Sequence, residues 1–368
     1  MKRILYIQNR YGFGGINKIT SVKENYLVNH GFEVHNLTAL DEENLKPRGM
    51  YDEKIHLHSI SNNKLKKLLS VPVFGRILRF AYYRWRMLQI IYFVNPHVIV
   101  ANMLGLEPPL VLWLTFWKKR ILEFHGWFNG RSESELKKNE KQAFQRIFPF
   151  YNIIGLTERE ALHIQKLSGK QVSYIPNPLG KIPTNYSDCS AKRVISMARF
   201  APQKNLDALL PFWKIIEDTH PEWELHLYGE GPDETAMRAV ISEFKLSSVY
   251  LHPYTTDTDY ALANSSIYIL PSLYEGFPLV LLESMASGVP CVAYDCPCGP
   301  AEIIKDGEDG FVTEYNNPQA LIDKVLFLIE HDDIRKKMGK KARENILRYN
   351  IDEIMGKWIY LFESLNKK

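Results

Sequence analysis

The residues best suited to chemistry stand together in one run, Leu270-Pro271-Ser272-Leu273-Tyr274-Glu275-Gly276-Phe277-Pro278-Leu279-Val280-Leu281-Leu282-Glu283-Ser284-Met285-Ala286-Ser287-Gly288. The pattern predicts a strand ending at Leu270, a loop carrying Glu275 and Gly276, Pro278 in the first turn of a helix, and Gly288 at its end. A helix start offers unpaired backbone N–H groups and the positive end of a dipole. It can therefore seat a sugar or phosphate that Gly276 allows to approach closely. Glu283 lies further along a helix that is otherwise apolar, so its carboxylate needs a partner or a ligand. A carboxylate accepting two hydrogen bonds from a vicinal diol such as ribose meets that need. Two plainer readings stand beside these: Glu275 as an acid favoured by the helix dipole, and Glu283 as a solvated surface residue.

Other constellations carry less. Gly12-Phe13-Gly14 follows the first expected strand, but the third glycine of a nicotinamide-dinucleotide fingerprint falls on Asn17. Cys291, Cys296 and Cys298 lack the paired spacing of structural zinc sites and read as buried thiols. His125, alone after a strand, reads by itself as structural.

The elements that must position these residues alternate strand and helix, the signature of parallel sheets. Strands are expected at Arg3–Gln8, Glu33–Leu40, Val98–Asn102, Arg120–Phe124 and Tyr151–Leu156. A cluster of breakers in Val172–Ser190 reads as a connection. The pattern then restarts with strands at Arg193–Met197, Glu224–Tyr228, Val249–His252, Ile267–Leu270, Val289–Tyr294 and Gly310–Val312, and a helix at Asn205–Asp218. This gives an α/β protein of two Rossmann-like domains, 1–178 and 192–348, joined by a linker at 179–191 and facing across a cleft. The last residues, 349–368, are expected to form a helix returning to the first domain.

At 368 residues the chain is long for one core, and its 45% hydrophobic content is that of a globular protein. No secretory leader, spanning segment or disulfide framework is expected, which points to the cytoplasm. Charge is uneven. Eight bases (Lys54, Lys64, Lys66, Lys67, Arg76, Arg79, Arg84, Arg86) and no acid fall between Lys54 and Leu106, leaving 38 basic against 42 acidic residues elsewhere. Mixed with aromatics, they suit the anionic inner face of a membrane, or else a core helix with a solvated basic face. A pI near 8.6 lacks the footprint of a dedicated nucleic-acid binder.

The run from Glu275 to Glu283, Glu-Gly-Phe-Pro-Leu-Val-Leu-Leu-Glu, closely resembles the motif of glycosyltransferase family 4, retaining enzymes of GT-B architecture (group 1 glycosyltransferases). Ser196-Met197-Ala198-Arg199-Phe200-Ala201-Pro202-Gln203-Lys204-Asn205, Tyr228-Gly229-Glu230-Gly231-Pro232 and Asp306-Gly307-Glu308-Asp309-Gly310-Phe311 are similar to three further family stretches. The resemblance implies that Arg199 and Lys204 hold the diphosphate of a nucleotide sugar, where cations offset the charge growing on the leaving group. It implies that Glu275 contacts the transferred sugar with the backbone of Gly276, Phe277 and Pro278 beside Leu279, and that Glu283 holds the ribose. Gly14-Gly15 is similar to the family's diglycine loop, although Asn17 and Lys18 replace its usual acid and arginine. His125 matches the family's histidine near the bond being broken.

The resemblance therefore implies a retaining transfer of a hexose or N-acetylhexosamine, from a donor read as UDP-linked, to a glycan or lipid-linked acceptor in polysaccharide synthesis. Front-face attack is expected, with the departing phosphate taking the acceptor's proton. No metal or other cofactor is expected, since Asp257-Thr258-Asp259, which resembles the metal triplet of the other large glycosyltransferase fold, precedes a helix as a cap would. A nucleotide-sugar epimerase and a non-catalytic nucleotide-sugar binder are the alternatives. Asp295-Cys296-Pro297-Cys298-Gly299-Pro300-Ala301-Glu302 resembles bacterial members that build surface glycans.

Overall fold

The computed structural model describes residues 2–9, 14–42, 50–61, 74–102, 109–126, 142, 145 and 148–367. Gly12, Phe13, Lys64, Lys66 and Lys67 lie outside them. The chain divides into two compact units. The first comprises residues 1–127, 131–178 and 351–368, and the second comprises 128–130 and 179–350.

The first unit holds strands β1 (Arg3–Gln8), β2 (Glu33–Glu42), β3 (His56–Ser61), β4 (Val98–Ala101), β5 (Lys119–Glu123), β6 (Asn152–Gly155) and β7 (Ser173–Tyr174). They form one sheet in the order β3-β2-β1-β4-β5-β6-β7, with every pairing parallel. The inner strands are continuous apolar runs, such as Val98-Ile99-Val100-Ala101, because helices cover both faces. Helix Phe74–Val94 seats Met87, Ile90, Ile91 and Val94 in one core with Leu5, Ile7 and Ile99. Helix Ile351–Lys367 belongs to this unit: Trp358 and Phe362 are buried, and Tyr26 Oη donates to Asp352 at 2.9 Å.

The second unit repeats the plan with β8 (Arg193–Met197), β9 (Glu224–Tyr228), β10 (Val249–His252), β11 (Ile267–Leu270), β12 (Cys291–Tyr294) and β13 (Gly310–Thr313). Their order is β10-β9-β8-β11-β12-β13, again all parallel. Trp213, Leu225, Leu227, Ile267, Ile269 and Leu328 centre its core.

Several expectations change. Strands β3 and β7 were not legible, and β7 falls inside Val172–Ser190, read as connection only. The helix expected from Asn205 starts as two short 3-10 turns, Pro202–Lys204 and Asp207–Leu209, before Leu210–Thr219. Asn205 breaks it with a left-handed φ of 54°. Pro278 caps the helix Leu279–Ala286 rather than entering its first turn. Among the described residues no helix is long and apolar enough to cross a membrane.

Candidate functional site

In the second unit, the loop after β8 is fixed before any ligand arrives. The buried Tyr268 hydroxyl accepts from the Met197 N–H and donates to the Met197 carbonyl, both at 3.1 Å. Ala198 N–H then donates to the Tyr228 carbonyl at 3.0 Å and Phe200 N–H to that of Glu230 at 2.9 Å. Glycine is needed opposite: a Cβ on Gly229 would stand 1.9 Å from the Ala198 oxygen, and one on Gly231 2.1 Å from that of Phe200. Tyr228-Gly229-Glu230-Gly231 is thus a clamp on the backbone to either side of the exposed Arg199.

The next turn joins a second loop. Gln203 Nε2 donates to the Tyr274 carbonyl at 2.8 Å, and Leu273 N–H donates to the Gln203 carbonyl at 2.9 Å. These bonds set Lys204 Nζ 2.5 Å from Glu275 Oε1, with the Glu275 side chain 8% exposed. A charge-assisted contact this short and this sheltered pre-orients both groups.

Gly276, Phe277 and Pro278 lead from Glu275 into helix Leu279–Ala286, whose start no side chain caps. Phe277 is buried edge-on against Tyr349, with ring centroids 5.4 Å apart. Gly299, at φ +98°, presses on this loop; a Cβ there would lie 2.6 Å from Pro278 Cδ. Close by, burial first and the Glu275 charge second push the Cys296 thiol up to about 12, so it stays an inert neutral group. Glu283 stands half-buried one turn into the helix.

In the first unit, Gly14 caps helix Gly15–Asn29, and a Cβ on it would meet nothing within 4 Å. Its φ of 165° is extended backbone, so neither conformation nor packing of the described residues demands glycine there. His125 follows β5 and is nearly buried, with Nε2 3.6 Å from Glu123 Oε1. Glu123 also pairs with the buried Lys23, whose ammonium lies 4.9 Å from the centre of the Trp358 ring. Burial alone would raise the Glu123 carboxyl, but Lys23 and then His125 bring it down to about 2. His125 therefore sits against a permanent anion.

The structure thus joins Lys204 to Glu275 directly and places Arg199, Gly276, Phe277, Pro278, Leu279 and Glu283 on the adjoining loops and helix. His125, Gly14 and Gly15 belong to the other unit. Asp257 accepts from Tyr260 N–H as a helix cap, and Asp259 pairs with Lys181 at 2.7 Å. Gln203, Tyr268 and Gly299 escaped sequence reading because each acts on a residue distant in the chain; only the run Pro202-Gln203-Lys204 gave a hint.

Three comparisons bear on this arrangement. Residues 186–345 match the family described as "Glycosyl transferases group 1". The whole chain superimposes on a crystal structure of a Staphylococcus aureus TarM mutant in complex with fondaparinux, alpha-GlcNAc-glycerol and UDP, with a TM-score of 0.80 and 18% identity, covering 98% of this chain and 100% of that one. The fold is therefore GT-B, and family match and fold together support a transferase. In sequence, the chain is 28% identical to an uncharacterized glycosyltransferase of Haemophilus influenzae over 97% of its own length and 99% of that protein. It is 29% identical to the poly(ribitol-phosphate) alpha-N-acetylglucosaminyltransferase of S. aureus over 62% of its length, spanning 47% of that relative.

Proposed function

We propose that this protein is a retaining glycosyltransferase of family 4, moving a hexose or N-acetylhexosamine from a UDP-linked donor to a glycan or lipid-linked acceptor in polysaccharide synthesis. The observation that carries the reading is the short, sheltered Lys204–Glu275 pair at the entrance to the helix bearing Glu283. UDP in the TarM structure and the N-acetylglucosaminyl transfer in the name of the S. aureus relative support the donor class.

On this reading Lys204 and Arg199 receive the diphosphate and offset the charge that grows as the glycosidic bond to phosphate breaks. Lys204 is held by Glu275, and the backbone on either side of Arg199 by bonds made in the protein alone, so little reorganisation of Lys204 is needed when the charge develops. Glu275, with the backbone of Gly276, Phe277, Pro278 and Leu279, holds the sugar, and Glu283 accepts from the ribose hydroxyls. The acceptor hydroxyl attacks from the face the diphosphate leaves and gives its proton to the departing phosphate. His125, beside anionic Glu123, and Gly14 and Gly15 are the first unit's residues assigned to the same reaction. No divalent metal takes part, since two cations already meet the phosphates; transfer is expected to survive a chelator.

Lipid-linked acceptors imply work at the inner face of a membrane. The exposed Phe93, Trp113, Phe116 and Trp117 of the first unit support this, being rings of the kind that settle at lipid headgroups. Salt-sensitive binding to anionic vesicles is expected, and equal binding to neutral vesicles would count against it.

Calorimetry with uridine, guanosine and adenosine diphosphates, repeated on Glu283→Ala, tests the donor site. UDP should bind tightest, and the variant should weaken it about tenfold, the value of a charged hydrogen bond. Equal affinity for all three bases, untouched by the variant, would overturn the reading. A product of inverted anomeric configuration would overturn the retaining assignment.

A further inference from the structure

The two sheets repeat one arrangement of side chains at the amino ends of their strands, the ends opposite the loops described above. In the first, Arg3 is in register with Glu33, His35 Nε2 lies 3.1 Å from Glu33 Oε1, and His35 Nδ1 lies 2.9 Å from His58 Nε2. In the second, Arg193 is in register with Glu224, and His226 Nε2 lies 2.8 Å from Glu224 Oε2. His226 Nδ1 lies 2.8 Å from His252 Nε2. One position differs. On the edge strand, His35 is in register with His56, whereas His226 is in register with Tyr250.

That difference brings three ligating atoms, from Glu33, His35 and His56, within 4.8 Å of one another. We propose that these three residues bind a divalent transition-metal ion of the zinc class, with His58 as the residue that orients His35. A carboxylate and two imidazoles form a three-ligand set that leaves a fourth position for water. The 3.1 Å between Glu33 and His35 is close to the ~3.3 Å edge of a tetrahedron with ~2.0–2.1 Å bonds. Two groups are therefore already spaced for an ion.

The third ligand must close in: His56 is exposed, opens an edge strand, and its ring already lies on that of His35 with centroids 4.7 Å apart. In the metal-free chain His35 Nε2 shares a proton with Glu33; when an ion displaces that proton, the tautomer left on His35 carries it on Nδ1, which can donate to His58 Nε2 and hold the ring in place. Such a bond on the far side of a ligating imidazole fixes its tautomer. The second unit keeps the same frame but offers Tyr250 in place of the third ligand, and so serves as an internal control.

Zinc is titrated into the metal-free full chain by calorimetry and by competition with a chromophoric chelator, and the cobalt-loaded protein is examined by absorption. One ion per chain should bind at micromolar concentration, and the cobalt form should show no thiolate charge-transfer band. His56→Tyr, which copies the second unit, should weaken binding at least about tenfold, while His226→Gln leaves it unchanged. His56 is exposed, so the variant should fold, and circular dichroism checks this. The proposal is overturned if the wild type binds no zinc, if affinity survives both His56→Tyr and His35→Gln, or if thiolate bands place the ion on the cysteines.

Discussion

The two units share a construction at the amino ends of their strands and part company in the loops beyond the carboxyl ends. In the second unit, the loops carrying Arg199 and Lys204 are locked by backbone bonds and by glycines that no other residue could replace. In the first, the helix start at Gly14 is open, and the nearby chemistry is a buried ion pair, Lys23–Glu123, beside His125. A parallel sheet can be repeated almost side chain for side chain while its loops are free to specialise. Beside these loops, the second unit presents Arg199 at its surface, and the first holds Lys23 and Glu123 in its core.

The largest expected effect follows from this contrast. Lys204→Ala should lower the rate of sugar transfer by about 10²–10³-fold, as loss of a group that stabilises developing charge does, beyond any fall in melting temperature from leaving Glu275 unpaired. His125→Ala, in the other unit, should cost less, because its imidazole already faces Glu123. Steady-state kinetics on both variants decide it. Near-normal turnover by Lys204→Ala would remove the second unit's claim to the leaving group.

The stored charge of the first unit should appear in acid. Glu123 titrates near 2 in the folded chain against 4.5 unfolded, so its contribution to stability is complete above pH 4.5 and is lost as pH falls through 2. Glu123→Gln should be less stable at neutral pH, with the gap to wild type closing across that window. Chemical unfolding curves at several pH values test it; a gap independent of pH would mean that the carboxylate's charge is not what matters.

How much of this the sequence discloses differs between the units too. Strands β8, β9, β10 and β11 occupy the expected residues, since each is a short apolar or alternating run bounded by breakers. In the first unit, β3 reads His56-Leu57-His58-Ser59, half polar because it is an edge, and β7 has two residues; neither shows a strand's pattern. Within the site, the run from Glu275 to Glu283 was legible because it is contiguous. The bonds from Gln203 to Tyr274 and Tyr268 to Met197 each span 71 residues, which no local pattern encodes. The histidine frame did leave a trace, the repeated Glu-x-His at Glu33–His35 and Glu224–His226, visible only once the two sheets are laid side by side.

A glycine from each unit tests whether the loops differ as described. Gly231→Ala drives a methyl onto the Phe200 carbonyl and should cost about 1–3 kcal/mol, the usual range for overpacking, along with donor affinity. Gly14→Ala meets nothing among the described residues and should leave stability alone. Lowered turnover in Gly14→Ala at unchanged melting temperature would assign the open space to a ligand. Unchanged turnover would leave that glycine without a role.

The finest test converts one unit into the other. Tyr250→His gives the second sheet the third imidazole that the first possesses, and zinc stoichiometry should rise from one to two per chain. The new site should be the weaker. Arg193 lies 3.9 Å from Glu224 and competes for its carboxylate, whereas Arg3 donates instead to the Val94 carbonyl at 2.8 Å and leaves Glu33 to its neighbours. Removing that competitor in Arg193→Gln, Tyr250→His should bring the two affinities together. If the second ion never binds, a third ligand on this frame is not what separates the sheets, and the partner of the arginine is the feature to examine.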